Sequence, residues 1–216
     1  MNRRQTALKA GIPDMWWIKK LNDSLDQSMG ETVRKEVMEG SEELKSRSSG
    51  DKKAKWVQCA MEKLDELVDE ETRKNVLMSC SHVFPKTRLR PLKNRYKETG
   101  KIDAVLELMH KDRSWGGLSY YEYPTREGNT IYVTKIPFNP KKYDQSTDET
   151  EKKYHYCHCG LVKASIKAPE IKISPSFCYC GAGWYKTLWE GVLDKPVQIE
   201  MLKSVIQGDD CCTFAV

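Results

Sequence analysis

The sequence predicts an α+β fold: a helical N-terminal half and a C-terminal antiparallel sheet packed against helices. Three observations carry that reading. Apolar residues recur at helical spacing from about residue 15 to residue 109. β-type runs appear at 118–123 and 130–136, and alternating segments return at 197–201 and 212–216. Between them, residues 181–193 place Trp184, Tyr185, Leu188, Trp189, Val192 and Leu193 on one half of a helical wheel. The change of character divides the chain into a helical region, 1–112, and an α/β region, 113–216.

The elements follow in order. Residues 1–14 read as a polar leader with Asp14 as a helix N-cap. Residues 15–29 align Trp16, Trp17, Leu21 and Leu25, and residues 31–45 align Val33, Val37, Met38 and Leu44. Ser48-Ser49-Gly50-Asp51 is a loop. Residues 52–68 give the clearest helix, with Trp56, Val57, Ala60, Met61, Leu64, Leu67 and Val68 in one arc. Asp69 caps a helix over 70–80, with Glu70 and Glu71 where the dipole favours them. Pro85 stops it. Seven basic residues crowd 86–101 against one acid, Glu98, and read as a solvated linker or helix face. A short helix over 102–109 aligns Ile102, Val105, Leu106 and Met109.

Arg126-Glu127-Gly128-Asn129 makes a turn, so the two β runs around it form a hairpin. Residues 139–153 read as an exposed loop. Val197, Ile199 and Met201 alternate with polar residues as a half-buried strand. Gly208-Asp209-Asp210 turns the chain, and Cys212, Phe214 and Val216 share one face of a last strand.

Composition narrows the function. The chain has 216 residues, 31% charged and 39% hydrophobic, with a net charge of +5. No apolar run approaches the roughly 18–20 residues of a membrane span. The basic N-terminus is not followed by an apolar signal segment. A cytoplasmic protein without a membrane partner is expected. The basic run holds one aromatic, Tyr96, and no helix-turn-helix or Cys2His2 pattern accompanies it, so nucleic acid is not expected as a partner.

The cysteines hold the chemistry. In a reducing compartment, close pairs serve as metal ligands or reactive thiols rather than as disulfides. Cys157-His158-Cys159-Gly160 and Cys178-Tyr179-Cys180-Gly181 are matched Cys-x-Cys-Gly motifs. Two thiols one residue apart point the same way on an extended segment. Two such segments face to face offer four sulfurs to one soft tetrahedral ion, so zinc is expected, with an iron–sulfur cluster compatible. His158 or Cys80 could replace one ligand, which makes Cys80, Cys157, Cys159, Cys178 and Cys180 the candidate set. Cys80 and Cys212 also lie on apolar faces, where a small core residue is the plainer role. Cys180 opens a predicted helix, whose dipole favours a thiolate; a nucleophilic thiol beside His155 or His158 is the competing reading.

The C-terminal third resembles the V4R (4-vinyl reductase, or hydrocarbon-binding) domain family. The residues that carry the resemblance are Cys180-Gly181-Ala182-Gly183, then Val197-Gln198-Ile199-Glu200, then Gly208-Asp209-Asp210-Cys211-Cys212-Thr213-Phe214. The 2-aminothiazoline-carboxylate hydrolase-like proteins have a similar close. Many V4R members place a cysteine four residues before the Gly-Asp turn, where this chain has Ser204. The resemblance implies an antiparallel sheet in a mixed α/β layer, a homodimer, and binding of a small apolar or aromatic molecule as a sensor or enzyme accessory. Trp115, Tyr121, Trp184 and Trp189 are the candidate ligand-binding residues, in a pocket between the sheet and the 181–193 helix. The leading expectation is a small-molecule-binding protein with a structural zinc. The alternative is a thiol- or metal-dependent hydrolase or reductase accessory.

Overall fold

The structure, a computed structural model, describes residues 15–114 and 121–216. The leader 1–14, Trp115 and residues 118–120 of the first β run lie outside the described residues. The α+β class is as expected.

Helix α1 (Met15–Val37) contains both predicted N-terminal helices. Gly30 breaks it at φ 79 and ψ 176, a backbone that only glycine adopts readily. The second helix stops at Val37, short of residue 45, and a 3-10 turn over Ser41–Glu43 follows. Helix α2 (Gly50–Leu67) is capped by Ser49, whose side chain accepts from the Lys52 N–H at 3.2 Å. The predicted arc is buried except at Leu67, near the helix end. Helix α3 (Glu70–Ser79) is capped by Asp69, which accepts from the Thr72 N–H at 3.0 Å.

The basic run is a helix, α4 (Lys86–Thr99), with Pro85 as its N-cap and Gly100 closing it at φ 64. Three of its six basic side chains have an acid nearby: Arg88 pairs with Asp112 at 3.0 Å, Lys93 with Asp194, and Arg95 faces Glu98. Helix α5 (Ile102–Lys111) buries Val105, Leu106 and Met109.

The hairpin forms one step later than expected. Strand β1 is Thr125–Glu127 and β2 is Thr130–Thr134. Pro124 and the positive φ of Glu122 (60) and Tyr123 (46) keep residues 121–124 out of the sheet. The turn is Gly128-Asn129, with Gly128 at φ 58. The expected loop at 139–153 is instead two helices, α6 (Pro140–Gln145) and α7 (Glu149–Tyr156). Asn139 caps the first, and Asp148 caps the second by accepting from the Glu151 N–H at 2.8 Å. Two 3-10 turns, Lys163–Lys167 and Pro175–Cys178, lead to α8 (Tyr179–Leu193).

Strand β3 (Glu200–Lys203) begins later than the alternation predicts. Side chains of α8 take up the Val197 backbone instead: Lys186 donates to its carbonyl at 3.0 Å, and its N–H donates to Glu190 at 3.3 Å. Strand β4 (Thr213–Ala215) completes an antiparallel sheet of order β1-β2-β4-β3. Val133, Phe214 and Met201 lie in register across it and share one face. That face meets α8, with the Tyr185 and Phe214 rings 5.0 Å apart. On its other side α8 crosses the end of α3. A Cβ on Gly183 would sit 2.1 Å from the Met78 carbonyl oxygen, so only glycine permits this crossing. One core runs continuously from Trp17 and Leu25 to Trp189 and Phe214, through both halves of the chain.

Candidate metal centre

The two Cys-x-Cys-Gly motifs arrive from different elements. Cys157 caps the C-terminus of α7, in extended backbone at φ −61 and ψ 129, and is buried. The chain runs on without helix or strand through Cys159, whose carbonyl accepts from the Lys163 N–H at 3.1 Å. Cys178 and Cys180 correct the sequence reading. They are helical, not extended: Cys178 ends a 3-10 turn at φ −72 and ψ −2, and α8 begins at Tyr179. At roughly 100° per residue, their side chains therefore point to opposite sides.

The thiols nevertheless act on one another electrostatically. Burial raises the Cys157 pKa well above the ordinary range; Cys159, Cys178 and Cys212 add to the rise, and a hydrogen bond from the Cys159 N–H opposes it. Cys178 is pushed up to about 12, by burial first, then by Cys212, with Cys159 adding to it. Cys180 is raised well above the ordinary range by burial, then by Cys159 and Cys178, and also by Cys80. Both pairs thus lie within electrostatic reach of one another, together with Cys212. None of the eight cysteines forms a disulfide.

Three of these sulfurs receive a hydrogen bond of the kind that stabilises a thiolate. The Cys159 N–H donates to Cys157. The hydroxyl of Ser204 donates to Cys178 at 3.3 Å, and the Val205 N–H donates to Cys212 at 3.5 Å. Ser204 is 2% exposed, and its own N–H is held by Asp209 at 2.8 Å, so the Gly-Asp turn positions the donor. Tyr156 ties the two ends of the site together. Its hydroxyl accepts from the Cys212 N–H at 3.2 Å and donates to the Lys135 carbonyl.

The remaining candidates stand apart. The Cys80 thiol is buried at the end of α3, donates to the Val76 carbonyl at 3.3 Å, and is pushed up to about 12 by burial. His158 donates through Nε2 to the Ile136 carbonyl at 2.7 Å. Burial is the largest influence on Cys180 and disfavours its thiolate. Among the described residues, no group of three or more His, Cys, Asp or Glu side chains is drawn close enough to hold a metal. The donor chemistry of the thiols fits a soft ion; bringing the sulfurs together takes side-chain rotation, and a cysteine has one rotatable bond to its sulfur.

The aromatic candidates separate as well. Trp189 is fully buried in the core. Trp184 is half-buried and packs on Phe84 at 4.8 Å between ring centroids, and Tyr121 stacks on the same ring at 6.2 Å. Tyr121 also lines a surface depression of about 510 Å³ with Arg88, Leu92 and Leu108, away from the cysteines. Sequence reasoning took Cys212 for a core residue and gave Ser204, Lys135 and Lys163 no part. The available signal was the Gly-Asp-x-x-Cys close, which folds Ser204 and Cys212 back onto Cys178.

Among the described residues, no helix is long and apolar enough to cross a membrane. No solved structure matches the chain. An uncharacterized protein of Methanocaldococcus jannaschii is 27% identical over 90 residues, covering 36% of this chain and 48% of that protein. The chain therefore spans about half the length of the curated relative it matches. Residues 143–216 are similar to a family of unknown function (DUF6144), and this segment contains six of the eight cysteines, all but Cys59 and Cys80.

Proposed function

We propose that Cys157, Cys159, Cys178 and Cys212 form a thiolate centre for a soft metal, with zinc as the ion and an iron–sulfur cluster as the alternative occupant. One observation carries this reading. Thiols from three separate segments lie within electrostatic reach of one another, and three of the four sulfurs already receive a hydrogen bond. Such bonds favour the charged form that a metal requires. Cys180, on the opposite side of its helix turn from Cys178, lies beside the centre, where Cys159 and Cys178 raise its pKa more than Cys80 does.

The ion would be structural. It would pin the end of α7, the start of α8 and β4 to one point, which stabilises a region of short strands and 3-10 turns. Zinc-edge X-ray absorption tests this. Four sulfur neighbours at about 2.3 Å support a closed site, and three protein ligands plus oxygen would favour an enzyme instead. The raised thiol pKa values argue against a nucleophile in the metal-free protein.

The V4R resemblance extends the proposal to a cytoplasmic, dimeric protein that binds a small apolar or aromatic molecule. The Phe84, Tyr121 and Trp184 cluster supports that part, since the half-buried Trp184 packs on the buried Phe84 ring and Tyr121 lines a depression, an aromatic setting that suits such a ligand. Trp184→Ala should lower affinity for an aromatic probe without altering metal content. Unchanged probe binding counts against this ligand site.

A further inference from the structure

Two lysines are anchored next to the cysteines, one on the Cys212 backbone and one on the Cys159 backbone. Lys135 follows β2, and its backbone is fixed twice, by its N–H on the Cys212 carbonyl at 2.9 Å and by the Tyr156 hydroxyl on its own carbonyl. Its side chain crosses the start of α8. The ammonium lies 3.5 Å from the point where a Cβ would stand on Gly181, and 5.9 Å from the centres of the Tyr185 and Phe214 rings. The glycine of the second Cys-x-Cys-Gly motif thus leaves room for a cation beside the cysteine it follows. The charge of Lys135 lowers the pKa of Cys178, Cys180 and Cys212 against the larger effect of burial.

Lys163 serves the other motif. Its N–H is fixed on the Cys159 carbonyl at 3.1 Å. Its ammonium lies over the Tyr154 ring at 4.1 Å and the Phe138 ring at 5.7 Å. Burial lowers the Lys163 pKa, and Cys157 and Cys159 are the acids that raise it.

We infer that Lys135 and Lys163 are counter-charges of the proposed centre, opposing the net negative charge of a divalent ion held by four thiolates. Four thiolates on a divalent ion leave two net negative charges, which are costly to bury without compensation. Two cations held in place by backbone bonds and aromatic faces supply that compensation, and no carboxylate need enter the site. The inference rests on the thiolate reading of the site and adds to it a charge requirement: the site favours an all-thiolate dianion over a neutral set with two histidines.

The test measures zinc affinity by competition with a chromophoric chelator under reducing conditions. The proteins are wild type, Lys135→Met, Lys163→Met, Lys135→Arg, Lys163→Arg and an exposed control, Lys172→Met. Each Met variant should weaken zinc by about tenfold or more, because a unit charge is strongly felt in a poorly solvated site. The Arg variants and the control should stay within about threefold of wild type. Circular dichroism of each metal-free variant separates a folding defect from an affinity defect. If a Met variant fails to fold, Lys135→Gln or Lys163→Gln takes its place. Both Met variants within about twofold of a zinc-binding wild type would overturn the counter-charge role alone. A wild type that binds no zinc or iron would overturn the thiolate reading and this inference together.

Discussion

The two Cys-x-Cys-Gly motifs share a sequence and differ in backbone. The first leaves a helix in extended form, so the Cys159 N–H can turn back to the Cys157 sulfur. The second enters a helix, so Cys178 turns to Ser204 and Cys212 while Cys180 points to the other side of the helix turn. Spacing alone does not fix where two thiols point; the backbone between them does. The first motif delivers both sulfurs to one place. In the proposed centre the second delivers one, and Cys212, just before β4, supplies the fourth.

That contrast can be broken most sharply by deletion. Cys178→Ala should abolish metal binding, leaving less than about a tenth of an equivalent by elemental analysis, because Cys178 interacts with both sides of the cluster. Next in size is the difference between its neighbours. Cys212→Ala should weaken zinc by about a hundredfold or more, and Cys180→Ala by less than about threefold. The reverse order in a chelator competition would move the fourth ligand to Cys180 and make the second motif act like the first.

The motif glycines and their surroundings give smaller, structural effects. Gly183→Ala should cost about 1–3 kcal/mol or more in urea unfolding, since the new methyl meets the Met78 carbonyl backbone and α3 or α8 must shift. Gly181→Ala should cost less, about 1 kcal/mol, because its Cβ would meet the edge of Phe214 at 3.3 Å and the flexible end of Lys135. Gly160→Ala, at an exposed turn, should change stability by less than about 0.5 kcal/mol. Equal costs at Gly160 and Gly181 would mean that the two motifs pack alike.

The gentlest probe is pH. Cys80 and Cys178 are pushed up to about 12 in the folded, metal-free protein, chiefly by burial. Unfolded thiols ionise near about 8.5. Stability from these groups is therefore intact below that value and is lost as pH rises toward 12. The melting temperature of metal-free protein should hold from pH 7 to 8 and fall above about 9. Cys80→Ala should shallow that fall; an identical slope would show that the buried thiols do not set it.

Much of the fold was legible because single residues carry clear signals. Asp69 caps α3 as expected, Pro85 divides two helices, and Phe214 faces inward. The helices at 140–156 were missed although Asn139-Pro140 and Asp148-Glu149 are good starts. Their polar composition hid them, since each buries little. Val197 was misread because side chains from α8 outcompete a neighbouring strand for its backbone. At the site, the two motifs were visible, but the fourth sulfur was not. Cys212 meets Cys178 only after β4 pairs with β2 and the Gly-Asp turn seats Ser204, a long-range outcome that local spacing does not encode.

The most direct measurement is the metal content of untagged wild-type protein after metal-replete expression, read by elemental analysis under reducing conditions. The expected result is about one equivalent of zinc per chain, or a stoichiometric iron–sulfur cluster. Less than about a tenth of an equivalent of zinc and iron together would contradict the thiolate centre.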